Sequence, residues 1–201
     1  MKFSDEQAVR VAIGEYALSD YAVSGGPGEV LVAYGIGSCV VITFYDPHLR
    51  VGGLLHAALP LNNVGRGPRP AKYVDAGLEA MLNDMSRAGA HKERLIVQMA
   101  GGGNLLPSPG FANTFDMGRR NIAAAELVIA REGLRLAAAD VGGSRGRTVR
   151  LYVGSGTMTV QVLGQDERAL VAAPASANVA SLPAALCGVD YAPRPAAGIL
   201  E

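Results

Sequence analysis

Two side chains have the types and spacing for covalent chemistry. Cys39 closes the run Tyr34-Gly35-Ile36-Gly37-Ser38-Cys39, and His56 follows seventeen residues later. Gly35 and Gly37 permit tight turns that expose backbone N–H groups. Such groups beside a sulfur favour a thiolate and can receive an oxyanion. A thiol nucleophile also needs a base within hydrogen-bond reach. Cys39 to Tyr45 is strongly β-prone, Asp46-Pro47-His48 ends it as a turn, and Val51 to Leu59 resumes a strand. Paired as a hairpin, with strands about 4.8 Å apart, these runs bring Cys39 and His56 to the same open end. A Cys flanked by Val also reads as a small buried hydrophobe, and spacing alone leaves both readings open. Cys187 has no nearby His, His48 reads as a solvated turn residue, and His91 reads as surface.

The elements that must position this pair follow from periodicity. Val9 to Tyr16 alternates as a strand with one buried face. Glu29 to Tyr34 is a second strand, broken by Gly35 to Ser38. Gly52-Gly53 suggests a bulge or close backbone packing. Lys72 to Ala88 has helical spacing, with Val74, Leu78, Met81, Leu82 and Met85 on one stripe closed by Gly89. Leu95 to Met99 suits a buried strand. Gly101-Gly102-Gly103 begins a loop that reads equally as a simple turn and as the border of a substrate groove. Asn121 to Arg131 is a second helix, in which Asn121 either caps the start or holds the glycine loop. Leu134 to Val141 and Thr148 to Val153 flank Gly142 to Gly146 as a hairpin, and Thr157 to Leu163 adds a strand. Two helices among many strands give an α+β fold.

Composition excludes several classes. The chain has 201 residues, 18 Lys plus Arg against 18 Asp plus Glu, 49% hydrophobic and 5% aromatic content. The apolar fraction excludes wholesale disorder. Balanced charge and few aromatics argue against a nucleic-acid partner. Two distant cysteines make neither a disulfide framework nor a zinc cluster, so no metal is expected. No apolar run is long enough to insert in a membrane, and the start does not read as a secretory signal, so a cytoplasmic protein is expected. From Val171 about a third of the residues are Ala, with scattered Pro. The reading is one folded domain over residues 1–165 and an Ala/Pro-rich extension over 166–201.

The motifs together resemble the CheD family of chemoreceptor glutamine deamidases. The resemblance rests on Gly35-Ile36-Gly37-Ser38-Cys39-Val40, Tyr45-Asp46-Pro47 and Gly52-Gly53-Leu54-Leu55-His56-Ala57-Ala58-Leu59-Pro60. It continues through Lys72-Tyr73-Val74-Asp75, Gly101-Gly102-Gly103, Gly118-Arg119-Arg120-Asn121, Asp140-Val141-Gly142-Gly143 and Gly146-Arg147. It implies a layered α/β/β sandwich similar to the deamidase domain of cytotoxic necrotizing factors. It implies hydrolysis of glutamine side-chain amides on methyl-accepting chemotaxis receptors, with Cys39 as nucleophile, His56 as base and no cofactor. A CheC-type phosphatase is the other partner it implies. Gly37, Ser38, Gly101, Gly102, Gly103 and Asn121 are the expected oxyanion or substrate-loop residues.

One position departs from the family. A Thr usually stands six residues before the Cys as the third member of a triad, and here that position is Ala33. Ala33 offers no hydroxyl to orient the imidazole, although its backbone carbonyl remains. Thr43 is another hydroxyl on the same stretch. Two further readings follow: a module that binds receptor or phosphatase without turnover, and a receptor glutamate methylesterase with the same nucleophile.

Overall fold

The structure is a computed structural model and describes residues 7–24, 29–62, 69–105 and 117–171. Among these residues ten strands and three α-helices run in the order β1 Val9–Arg10, β2 Glu15–Asp20, α1 Tyr21–Ser24, β3 Val30–Ile36, β4 Val40–Asp46, β5 Val51–Ala57, α2 Val74–Arg87, β6 Ile96–Gly101, α3 Met117–Arg131, β7 Leu136–Val141, β8 Arg147–Tyr152, β9 Thr157–Val162 and β10 Arg168–Ala169. One sheet has the order β1-β3-β8-β9-β10, and the other has β2-β5-β4-β6-β7. The α+β expectation holds.

Every residue of β4 and β5 is buried, because both faces of their sheet are covered. On one face Val40, Ile42, Phe44, Leu55 and Ala57 pack against Val74, Leu78, Met81 and Met85 of α2 and Ile122, Ala125, Val128 and Ile129 of α3. On the other face Val41, Leu54 and Ala100 meet Leu31, Ala33, Val149, Leu151 and Val160 of the second sheet. The layers are therefore helix, sheet, sheet. Each fully buried aliphatic side chain here contributes about 1.5–3 kcal/mol. The Gly52-Gly53 pair serves close packing rather than a bulge. Cβ atoms there would stand 3.0 Å from Leu151 Cδ2 and from Met81 Sδ, and the β4–β5 register runs through both without a shift.

Three boundaries differ from the expectation. The alternating run from Val9 to Tyr16 is two strands in different sheets, parted at Ile13-Gly14, where Gly14 takes φ +80. The segment Gly142 to Gly146 is not a hairpin turn. β7 lies parallel beside β6 in one sheet, while β8 lies between β3 and β9 in the other. Gly142 and Gly143, both at φ +78, carry the chain between sheets. The crossing is held by Arg147, whose guanidinium donates to the Gly142 carbonyl at 2.5 Å and pairs with Asp140 at 3.2 Å. The fold also runs past residue 165. β10 pairs with β9, and Gln98 Nε2 donates to the Leu170 carbonyl at 2.8 Å. Cys187 and residues 172–201 lie outside the described residues.

The β4–β5 turn that sets the register of the pair is fixed by Asp46. Its fully buried carboxylate accepts N–H groups from His48, Leu49 and His91 and the guanidinium of Arg94. Burial pushes its pKa up, but Arg94 and the three amides outweigh that and hold it at about 2. Because the folded value lies below the ordinary 3.8, this stabilisation is complete above pH 4 and is lost as pH falls toward 2. Asp46→Asn should therefore unfold more readily than wild type at pH 7, with the gap closing as pH approaches 2. Urea titrations at pH 7 and pH 3 check this, and an unchanged gap would remove the carboxylate from the account.

Candidate active site

Cys39 sits one residue before β4 at the end of a short bend, and His56 lies near the end of β5. The antiparallel register places Val41 opposite His56 and Val40 opposite Ala57. Cys39, two residues before Val41, packs on the same inter-sheet cluster as Val41 and Leu54. Cys39 and His56 are thus diagonal neighbours on one face. Such pairs have Cα atoms about 7–8 Å apart and Cβ atoms closer. His48 and His91 are exposed, as expected of turn and surface residues.

The imidazole of His56 is 1% exposed, and its two nitrogens differ. Nδ1 lies 3.3 Å from the carbonyl oxygen of Val11. A carbonyl only accepts, so Nδ1 carries the proton and Nε2 carries the lone pair. Nε2 is buried and has no hydrogen-bond partner, the Cys39 sulfur included. An imidazole with an unengaged lone pair on the face that Cys39 shares has the form of a base able to take a thiol proton once the two atoms meet. Burial lowers the His56 pKa, while the Val11 carbonyl and the Glu15 charge partly restore it. Burial also pushes the Cys39 thiol up, against a smaller lowering by its own N–H. The resting pair is therefore neutral thiol and neutral imidazole, not the preformed thiolate that the exposed glycine amides suggested.

Neither Ala33 nor Thr43 orients the ring. Ala33 is fully buried on β3 opposite Val149, and the Thr43 hydroxyl donates to Met158 Sδ at 3.4 Å. The orienting group is the Val11 carbonyl, which sequence reasoning missed. A backbone acceptor has no side-chain signature, so only the register of the β1–β2 turn reveals it.

The glycine loop braces the backbone around Cys39. Gly102 N–H donates to the Cys39 carbonyl at 2.7 Å, and Gly103 N–H donates to the Gly37 carbonyl at 2.7 Å. These two amides face inward, so they do not form an oxyanion hole in this arrangement. Gly118 at the start of α3 fits tightly beneath the loop, where a Cβ would stand 2.4 Å from the Gly102 carbonyl oxygen. Leu105 lies over Gly37, with its Cδ1 2.7 Å from where a Cβ would be.

Asn121 neither caps α3 nor holds the glycine loop. It is fully buried in the second turn of the helix, and its Nδ2 donates to the carbonyls of Ser38 at 2.8 Å and Ala58 at 3.0 Å. The Ser38 carbonyl belongs to the peptide that carries the Cys39 N–H. One side chain therefore ties the peptide before Cys39 to the residue that follows β5, the strand that carries His56. Asn121→Ala should cost about 1–3 kcal/mol, by removing both hydrogen bonds that a fully buried side chain makes to two part-buried carbonyls. A melting temperature within 1 °C of wild type would show that this tie contributes nothing.

Among the described residues no group of three His, Cys, Asp or Glu side chains could hold a metal ion, and no helix is long and apolar enough to cross a membrane. A cleft of about 230 Å³ between α2 and the end of α3, lined by Glu79, Leu82, Ser86, Lys92 and Glu132, contains neither Cys39 nor His56.

The family model for CheD chemotactic sensory transduction matches residues 58–162. Curated relatives extend the match. A protein of Symbiobacterium thermophilum named "Probable chemoreceptor glutamine deamidase CheD" is 40% identical over 169 residues, which is 83% of this chain and 99% of that protein. The chain belongs to the CheD family. A second family member, from Thermococcus kodakarensis and with the same printed name, is 43% identical over 155 residues, 76% of this chain and 91% of its own length. A third CheD relative, from Anaeromyxobacter dehalogenans, is 41% identical over 147 residues, 72% of this chain and 91% of its own. A solved structure, the hypothetical protein YfiH of Bacillus licheniformis, reaches a TM-score of 0.33 at 15% identity, over 57% of this chain and 46% of that chain, too slight a likeness to bear on the fold.

Proposed function

We propose that this chain deamidates specific glutamines on methyl-accepting chemoreceptors, with Cys39 as nucleophile and His56 as general base and acid. The observation that carries the chemistry is the His56 ring itself, anchored at Nδ1 by Val11 and unengaged at a buried Nε2 on the Cys39 face. The near full-length relatives named as chemoreceptor glutamine deamidases support the substrate class. The helix–sheet–sheet layering supports the family's likeness to the deamidase domain of cytotoxic necrotizing factors. Binding of a CheC-type phosphatase rests on family membership alone.

In this reading the Cys39 sulfur attacks the carboxamide carbon as its proton passes to His56 Nε2. The C=O π pair moves to oxygen, and N–H groups of Ser38 and Cys39 receive that charge. Asn121 holds the peptide that supplies the Cys39 N–H. His56 then protonates the leaving nitrogen, the C–N bond breaks, and ammonia departs, leaving a thioester. Water attacks the thioester with His56 as base, giving glutamate and the thiol. Ala33 does not impair this sequence, because the imidazole is oriented from Val11. The same tautomer would serve methyl-ester hydrolysis. The experiment is ammonia and methanol release from purified receptor cytoplasmic fragments, in amidated and methylated forms, with Cys39→Ala beside wild type. Ammonia released by wild type alone is the expected result. Equal release by Cys39→Ala would overturn the nucleophile, and methanol in place of ammonia would move the chain to the esterase reading.

A further inference from the structure

The carbonyl that accepts the His56 Nδ1–H hydrogen bond is itself engaged from behind. The Val11 carbonyl that faces Nδ1 and the Ala12 N–H are two ends of one peptide unit. That N–H donates to Glu15 Oε2 at 3.1 Å. Three contacts fix the turn. Glu15 N–H returns a bond to the Ala12 carbonyl at 3.1 Å, Gly14 N–H donates to the His56 carbonyl at 2.8 Å, and Val11 N–H donates to the Val32 carbonyl at 2.8 Å. Glu15 on β2 is also the residue directly opposite His56 on β5.

We propose that Glu15 is the third member of this site, a positioning residue that acts on His56 through the Val11–Ala12 peptide. A carboxylate on the N–H end of a peptide draws electron density toward its carbonyl oxygen, which strengthens the bond that oxygen accepts. Nδ1 then keeps its proton, Nε2 stays the base, and the imidazolium formed during attack is stabilised. A triad carboxylate does this by direct contact; here one peptide stands between. The arrangement supplies what Ala33 lacks, without a hydroxyl. Among the described residues Glu15 is the charged group that acts on the imidazole, and it favours the protonated ring. Cys39 shares that face, where Val41 and Leu54 beside it and Ala33 on β3 are apolar, and Lys72 packs against Gly14 of the turn, its Cβ 3.5 Å from where a Gly14 Cβ would be.

The inference rests on the deamidase reading for its rate readout, so the test includes one that needs no receptor. Glu15→Gln keeps an oxygen for the Ala12 N–H and removes the charge; Glu15→Ala removes both. Nitrogen-15 NMR of the imidazole reads the tautomer and pKa of His56 directly. Glu15→Gln should lower the His56 pKa further while Nδ1 keeps its proton. Glu15→Ala should also mix the tautomers. For ammonia release, Glu15→Ala should lower kcat about 10-fold to 100-fold with KM unchanged, well short of the roughly 10⁴-fold effect of losing a carboxylate in direct contact. Glu15→Gln should fall between. Raised salt should shrink the pKa difference between wild type and Glu15→Gln, because the carboxylate is exposed. A His56 titration and tautomer unchanged in both variants would overturn the relay even if the protein deamidates receptors. The NMR changes appearing in a protein that releases no ammonia would uphold the relay and overturn the deamidase reading.

Discussion

His56→Gln should release ammonia from receptor fragments with kcat lowered roughly 10²–10⁴-fold, the contribution of a positioned acid and base. Gln matches the reach of the ring and can still donate to the Val11 carbonyl, so the loss reads chemistry rather than collapse. The pH dependence adds a second reading. The base must be neutral to take the thiol proton. Burial lowers the His56 pKa, so the acid limb of kcat/KM for wild type should lie below the ordinary histidine value of 6.5. The thiol is pushed up by its surroundings, so alkylation of Cys39 should be slow at pH 7 and should accelerate only in the alkaline range. A variant within 3-fold of wild type, or an acid limb above 6.5, would remove His56 from the mechanism. The lowered pKa also affects the fold. Below 6.5 the unfolded chain binds a proton that the folded site refuses, so this histidine destabilises the protein as pH falls through that range.

The β4–β5 hairpin that carries Cys39 and His56 was legible in the sequence because its geometry is local. Asp46-Pro47 marks the turn, the β-branched runs on either side mark the strands, and a two-stranded register follows from those alone. The stripe on α2 was legible for the same reason, since Val74, Leu78, Met81 and Met85 recur at helical spacing. The misreadings came where local signals are shared by different outcomes. The alternation from Val9 to Tyr16 continues across a turn at Gly14, so it cannot say that the two halves join different sheets. Gly142-Gly143 suits a hairpin and a crossing between sheets equally well. The choice is made by distant partners, as β6, α3 and β7 form a parallel crossover while β8 is taken by β3. The Val11 carbonyl and the Glu15 carboxylate were hidden for a further reason. Their roles depend on a peptide group and on a cross-strand register, neither of which has a residue-type signature.

The glycine loop gives the other large effect, because its tightest contact is with the backbone of Cys39. Gly101 takes φ +116, and a Cβ there would stand 2.3 Å from the Cys39 carbonyl oxygen and 2.7 Å from Ile36 Cγ2. The carbonyl cannot retreat freely, since it already accepts the Gly102 N–H at 2.7 Å. Gly101→Ala therefore combines backbone strain of about 1–3 kcal/mol with overpacking of about 1–3 kcal/mol. At about 2–4 °C per kcal/mol for a domain of this size, the melting temperature should fall by roughly 5–20 °C. Relief would come by moving Cys39, and a displacement of about 1 Å at a reacting group costs on the order of 100-fold in rate. Gly133 provides the control. It also takes a positive φ, +67, beyond the end of α3, but nothing lies within 4 Å of its missing Cβ. Gly133→Ala should show the conformational cost alone, with ammonia release unchanged. If the two variants melted together and worked equally well, the close approach of the loop to Cys39 would have no bearing on either stability or catalysis. A Gly101→Ala protein that is destabilised but fully active would confine the contact to the fold.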